Sequence, residues 1–119
     1  MILVDTSVWI AHLRSRNEAL ATVLVEGQTL THPFIIGEIA CGALRNRAQV
    51  IEDLRALPSA KVVTDGEAMA LVENRRLWGK GIGWIDAHLL ASSIISNCAL
   101  WTQDRALRRA AVELGLAGP

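Results

Sequence analysis

The sequence predicts an α/β fold of three layers, with helices on both faces of a short, mainly parallel sheet of four to five strands. Three observations carry this. Short unbroken apolar runs, as buried parallel strands require, alternate with longer stretches whose apolar residues recur at helical spacing. The apolar 51% of the chain is mostly Leu, Ile, Val and Ala, with aromatics at 4% and no Tyr, the usual filling between helices and a buried sheet. At 119 residues the chain makes one domain, 1–119, that buries roughly two-thirds of its unfolded surface without disulfides or metal staples.

The elements follow in order. Met1–Val4 is a strand stopped by Asp5, and Thr6-Ser7 can cap a helix carrying Val8, Trp9, Ile10 and Leu13. Ser15 and Glu18 have capping-box spacing for a second helix that Gly27 ends. Gln28–Thr31 reads as a second strand. Pro33 opens a helix to about Arg45, and Arg47–Leu57 forms another, broken by Pro58-Ser59. Lys61–Val63 reads as a third strand. Thr64 and Glu67 form a capping box for a helix through Trp78, and Gly79-Lys80-Gly81-Ile82-Gly83 is then a loop. Helix Ile85–Asn97, strand Cys98–Thr102 and helix Asp104–Leu114 complete the chain.

Several function classes are excluded. Cys41 and Cys98 are far apart, with no Cys-x-x-Cys and no adjacent His, so neither a disulfide framework nor a zinc site is expected. The opening Met1-Ile2-Leu3-Val4 has no basic leader, and no apolar run approaches the roughly 20 residues that span a bilayer. A cytoplasmic protein with no membrane partner is the expectation. The glycine loop follows a helix rather than a strand and lacks Gly-Lys-Ser/Thr, so it is no nucleotide P-loop. A phosphorelay receiver wants an acidic pair after its first strand. A phosphatase of the Asp-x-Asp type wants an acid where Ser7 stands.

Four acids carry the functional reading. Asp5 follows the first strand directly, Asp104 follows the strand ending at Thr102 after one residue, and Asp86 opens an apolar helix after the glycine loop. In open α/β sheets ligands gather at the carboxyl ends of strands. Glu38 lies in the apolar stretch Phe34–Ala40 and is expected to face a partly buried place. Ordinary structural roles compete: Asp5 and Asp104 as helix caps, Asp86 as a first-turn acid favoured by the helix dipole, Glu38 pointing to solvent from a helix rim. Converging carboxylates would repel by about 4 kcal/mol per close pair at an effective dielectric of 20, a cost that a divalent cation removes. Oxygen ligands without His or Cys select Mg²⁺ or Mn²⁺, ions that promote phosphodiester hydrolysis. With these acids set aside, twelve basic residues face eight acidic ones, a +4 balance suited to a polyanion, although the formal net charge of the chain is zero.

The ordered segments Val4–Ile10, Gly37–Gly42, Arg75-Arg76-Leu77, Ile85–Ala91 and Leu100–Asp104 resemble the PIN-domain family, most closely its VapC branch, across the whole chain. The resemblance implies a PIN-like fold and a metal-dependent endoribonuclease acting as the toxin of a VapBC toxin–antitoxin pair. It implies Asp5 and Asp86 as the most direct metal ligands, Glu38 and Asp104 completing the acidic pocket, and Thr6 and Thr102 orienting carboxylates or water. A homodimer, an RNA substrate and a VapB-type antitoxin are implied as partners, with DNA met only through the antitoxin. Some members carry a further acid after the position of Asp104, where this chain has Arg105-Ala106-Leu107. Arg14, Arg75, Arg76 and Lys80 are candidate rim contacts for RNA, with solvated helix ends as the plain alternative. Trp84 is either a base-stacking ring or a core or dimer contact. Arg105, Arg108 and Arg109 read as surface charge on the last helix, and His12, His32 and His88 show no ligand spacing. The competing function is a catalytically silent PIN-like module that binds RNA or protein without cutting.

Overall fold

A computed structural model describes all residues, 1–119. Three short parallel strands, β1 (Ile2–Val4), β2 (Thr29–Leu30) and β3 (Ala99–Trp101), form a sheet in the order β2-β1-β3. Ile2 pairs with Thr29 on one side and Ala99 on the other, and Val4 pairs with Trp101. The helices are α1 (Thr6–Arg14), α2 (Glu18–Val25), α3 (Pro33–Ala40), α4 (Arg47–Arg55), α5 (Asp65–Arg75), α6 (Trp84–Ser96) and α7 (Arg105–Glu113). From central β1 the chain moves to one edge through α1 and α2, then returns past β1 to the other edge through α3–α6. Right-handed crossovers taken in opposite directions put helices on opposite faces, which gives the three layers. The strand order reverses between β1 and β3, so the crevice at their carboxyl ends is the topological switch point.

The strand expected at Lys61–Val63 is absent. Pairing with the β2 edge occurs earlier, through a single parallel bridge of Thr31 with Ser59, in which Thr31 N–H donates to Pro58 O at 2.9 Å and Ala60 N–H to Thr31 O at 2.8 Å. Lys61 N–H instead donates to Ser96 Oγ at 2.8 Å, and Val63 turns into a small buried cluster with Ala68 and Ala91 between α5 and α6. At the other edge Leu100 bridges Ala117. The expected four to five strands are therefore three, with one isolated pairing beyond each edge.

The second helix starts later than its capping spacing implied. Ser15 closes α1, donating its N–H to Ala11 O at 2.9 Å, and Asn17 caps α2 by accepting from Leu20 N–H at 3.1 Å. The capping box of Thr64 and Glu67 is present in both directions. The main core gathers Leu3, Val4, Ile35, Ile39, Leu89, Leu90, Leu100 and Leu107 around the sheet, and Trp9 and Trp101 are buried in it. No helix is long and apolar enough to cross a membrane.

Candidate active site

Asp5 leaves β1 in register with the end of β3, its N–H donating to Trp101 O at 2.9 Å. Its carbonyl begins α1, accepting from Val8 N–H at 3.0 Å, but its side chain makes no capping bond. The carboxylate turns instead into the switch crevice, 7% exposed, where Oδ2 accepts from Thr102 Oγ at 2.7 Å and from Ser7 Oγ at 2.8 Å. Backbone donors set these hydroxyls in turn: Asp104 N–H donates to Thr102 Oγ at 3.0 Å and Gln103 N–H to Ser7 Oγ at 2.9 Å. Each hydroxyl has one proton and directs it at Asp5, so the 3.3 Å contact between the two oxygens is a close approach rather than a further bond. Burying an anion costs several kcal/mol, and two oriented hydroxyls offset part of that cost.

Thr102, which the resemblance gives as a group orienting a carboxylate or water, lies against Asp5. Thr6 does not share that task; its Oγ donates to Glu38 Oε1 at 2.9 Å. Sequence reading missed Ser7 as the second support for Asp5. The available signal was a hydroxyl two residues past a strand-ending acid, which was assigned to helix capping alone.

Glu38 differs from expectation in being exposed. In α3 the Ile35 and Ile39 stripe enters the core, which leaves Phe34 and Glu38, also four residues apart, together on the rim. Apolar neighbours in sequence lie on other faces of a helix, so they did not imply burial of the carboxylate. Asp104 is exposed and does cap α7, its Oδ1 accepting from Leu107 N–H at 2.9 Å, with its second oxygen left free.

Asp86 is half-buried at the start of α6, and its Oδ2 accepts from Gly83 N–H at 3.1 Å. Its carboxyl is pushed above the usual aspartate range, first by burial and then by the negative charges of Asp5, Asp104 and Glu38, against the lowering effect of the Gly83 bond. One carboxylate therefore senses the other three, and the four acids share a single electrostatic locale. As placed, no three acidic, His or Cys side chains form a ready-made ion cage. The donor chemistry nevertheless fits a hard divalent cation: oxygen ligands only, and a repulsion that a positive charge would relieve.

The histidines lie outside this chemistry. His32 caps α3, its Nδ1 accepting from Phe34 N–H at 3.0 Å, and burial followed by the charge of His88 lowers its pKa to about 4. His88 is buried with Nε2 at 3.0 Å from Asp65 Oδ1, between the rings of Phe34 and Trp84. His12 Nδ1 accepts from Asn17 N–H at 2.9 Å. The rim residues scatter more widely. Trp84, 42% exposed, opens the same helix as Asp86. Arg75 and Arg76 end α5, Lys80 pairs with Glu113 at 2.8 Å, and Arg14 lines a separate groove with Arg45. Cys41 and Cys98 are free thiols.

The PIN domain model matches residues 2–113. The chain is 44% identical over 118 residues to "Ribonuclease VapC32" of Mycobacterium tuberculosis, in strain CDC 1551 / Oshkosh and in strain ATCC 25618 / H37Rv alike, covering 98% of this chain and 95% of that protein. The chain belongs to the PIN-domain family, in its VapC branch.

Proposed function

We propose that this chain is a divalent-metal-dependent endoribonuclease, the toxin of a VapBC-type pair, whose single domain carries the whole active site. The observation that carries the reading is the buried Asp5 carboxylate, held at the carboxyl ends of β1 and β3 by Thr102 and Ser7, with Thr102 also accepting from Asp104 N–H. The near-full-length likeness to a protein named as a ribonuclease supports the reaction class. Asp5 and Asp86 would hold Mg²⁺ or Mn²⁺ most directly, and Glu38 and Asp104 would complete the pocket directly or through water. Such an ion, when bound, would supply positive charge to polarise a phosphate and to make a water more acidic. The protein's own part is orientation: Thr102 and Ser7 aim Asp5, Thr6 aims Glu38, and Gly83 N–H fixes Asp86.

Arg14, Arg75, Arg76 and Lys80 supply cationic contacts for RNA, and Trp84 offers a ring to a base. The partners are RNA, a VapB-type antitoxin and a second copy of the chain in the cytoplasm, with DNA approached only through the antitoxin. The test is cleavage of a mixed RNA pool by antitoxin-free protein with Mg²⁺, with Mn²⁺ and with chelator, alongside Asp5→Asn and Asp86→Asn. Metal-dependent cuts lost in both variants support the reading. Intact RNA under every metal, with binding retained, supports a silent binding module instead.

A further inference from the structure

The loop joining α5 to α6 holds unused donors. Leu77 N–H donates to Val72 O at 3.0 Å and Gly83 N–H to Asp86; between them Lys80 closes a turn over Trp78-Gly79, while Trp78, Gly79, Gly81 and Ile82 donate no backbone hydrogen bond within the protein. Gly79 and Gly81 have φ of 71° and 80° on either side of Lys80. Such alternation of φ sign turns successive N–H groups toward one side and builds anion-binding concavities. Gly79, Lys80 and Gly81 form one wall of a cavity of about 450 Å³, and Arg109 and Glu113 of α7 contribute to the other.

The charge of this cavity favours an anion. Arg109 is exposed and makes no ion pair or hydrogen bond. Lys80 gives Glu113 one of its three N–H donors, which steadies the ammonium and leaves two for a ligand. Two cations against one carboxylate leave a net positive wall. The same loop and the same helix lead from the cavity to two of the acids. Its loop is tied at Gly83 to Asp86, and a Cβ on Gly81 would lie 3.3 Å from Ala106 Cβ, two residues after Asp104.

We propose that this cavity is a phosphate subsite for the RNA chain, receiving the phosphodiester beside the one at the acids. This rests on the ribonuclease reading above and adds the register in which RNA crosses the site. It involves no nucleotide P-loop. The loop amides and the Lys80 and Arg109 side chains take the place of that motif, and the ligand is a chain phosphate rather than a free triphosphate.

The test has two arms, both in chelator so that neither depends on cleavage. In the first, the ¹⁵N-labelled chain is titrated with inorganic phosphate. The expected result is amide shifts concentrated at Gly79–Ile82 that weaken about tenfold or more in Lys80→Gln/Arg109→Gln, the loss of two charge-assisted contacts. Shifts confined elsewhere, or unchanged in the double variant, overturn the proposal. In the second, RNA binding is measured with one linkage at a time made neutral as a methylphosphonate. One linkage adjacent to the cut site should weaken binding by about tenfold in wild type and have no effect in the double variant, whose salt slope falls by about 0.7. If every neutral linkage weakens both proteins equally, the site binds phosphate but not this part of RNA, and the proposal fails while the ribonuclease reading stands. If the loop binds phosphate but the chain neither binds nor cuts RNA, the ribonuclease reading fails, and the assignment of the ligand fails with it.

Discussion

Thr102 Oγ donates to Asp5 Oδ2 at 2.7 Å, joining the carboxyl ends of two neighbouring parallel strands across 97 positions of sequence. The same oxygen accepts from Asp104 N–H at 3.0 Å, so one buried hydroxyl orients the first acid and places the last. Thr102→Val keeps the shape and removes both roles. The expected result is an apparent metal affinity 10–100-fold weaker, on the scale of about one lost ligand-orienting bond, with a stability loss of about 1–3 kcal/mol from the unpaired groups. Metal titration of RNA cleavage and urea unfolding check the two effects separately. Thr102→Ser should restore both, and equal metal affinity in the Val variant would show that Thr102 is not an orienting group.

Asp86 tests whether the four acids act as one site. Its carboxyl is raised by burial and by three neighbouring anions, so the folded state holds its proton more tightly than the unfolded chain does. The resulting destabilisation is absent below the ordinary aspartate value of 3.8 and grows as pH rises from there through the folded value. Asp86→Asn removes the charge and keeps an oxygen for Gly83 N–H. In chelator at neutral pH the variant should therefore unfold at higher urea than wild type, and the difference should vanish in acid. Added Mg²⁺ or Mn²⁺ should stabilise wild type and leave the variant unmoved. A variant less stable than wild type in chelator would mean that Asp86 is a helix cap and little more.

The sequence disclosed those parts of the site that depend on chain position. Asp5, Asp86 and Asp104 were legible because a strand ends or a helix begins at each, and the sheet order brings such places together. Features that depend on which way a side chain turns were not. Ser7 lies two residues from Asp5, and only the tertiary course of Gln103 and Thr102 decides that its hydroxyl returns to the carboxylate. Glu38 was expected to be partly buried, and α3 rotates it onto the rim. Lys61–Val63 has the composition of a strand, but competing partners, Ser96 for Lys61 N–H and the α5–α6 cluster for Val63, win over the sheet edge. His32 is an uncommon cap, and nothing in its spacing announced it.

That cap makes the protein acid-sensitive at a residue outside the four acids. His32 is fully buried, its pKa is lowered from 6.5 to about 4, and its neutral Nδ1 accepts from Phe34 N–H. A lowered folded pKa gives stability that is complete above the unfolded value and is lost as pH falls toward the folded one. Unfolding free energy should therefore drop between about pH 6.5 and pH 4, by at most on the order of 3 kcal/mol. His32→Asn keeps an acceptor for Phe34 N–H and cannot titrate, so it should flatten that part of the curve. Urea midpoints measured at half-unit pH steps decide this, and the same slope in both proteins would remove His32 as the cause.

The glycine loop gives a stability prediction that separates two physical terms. Gly79 and Gly81 both have positive φ, where any side chain costs about 1 kcal/mol. A Cβ on Gly79 meets nothing within 4 Å, whereas one on Gly81 stands 3.3 Å from Ala106 Cβ on the half-buried, cavity-facing side of α7. Gly79→Ala should cost about 1 kcal/mol, the backbone term alone. Gly81→Ala should cost up to about 1 kcal/mol more, because loop and helix must part by a few tenths of an ångström where Gly81 meets Ala106. Through Gly83 that displacement reaches Asp86, so Gly81→Ala should lower cleavage at fixed metal by more than Gly79→Ala does. Thermal unfolding and metal-dependent cleavage of the two variants side by side provide the comparison. Equal losses in both would show that φ, not the contact with α7, sets the constraint on this loop.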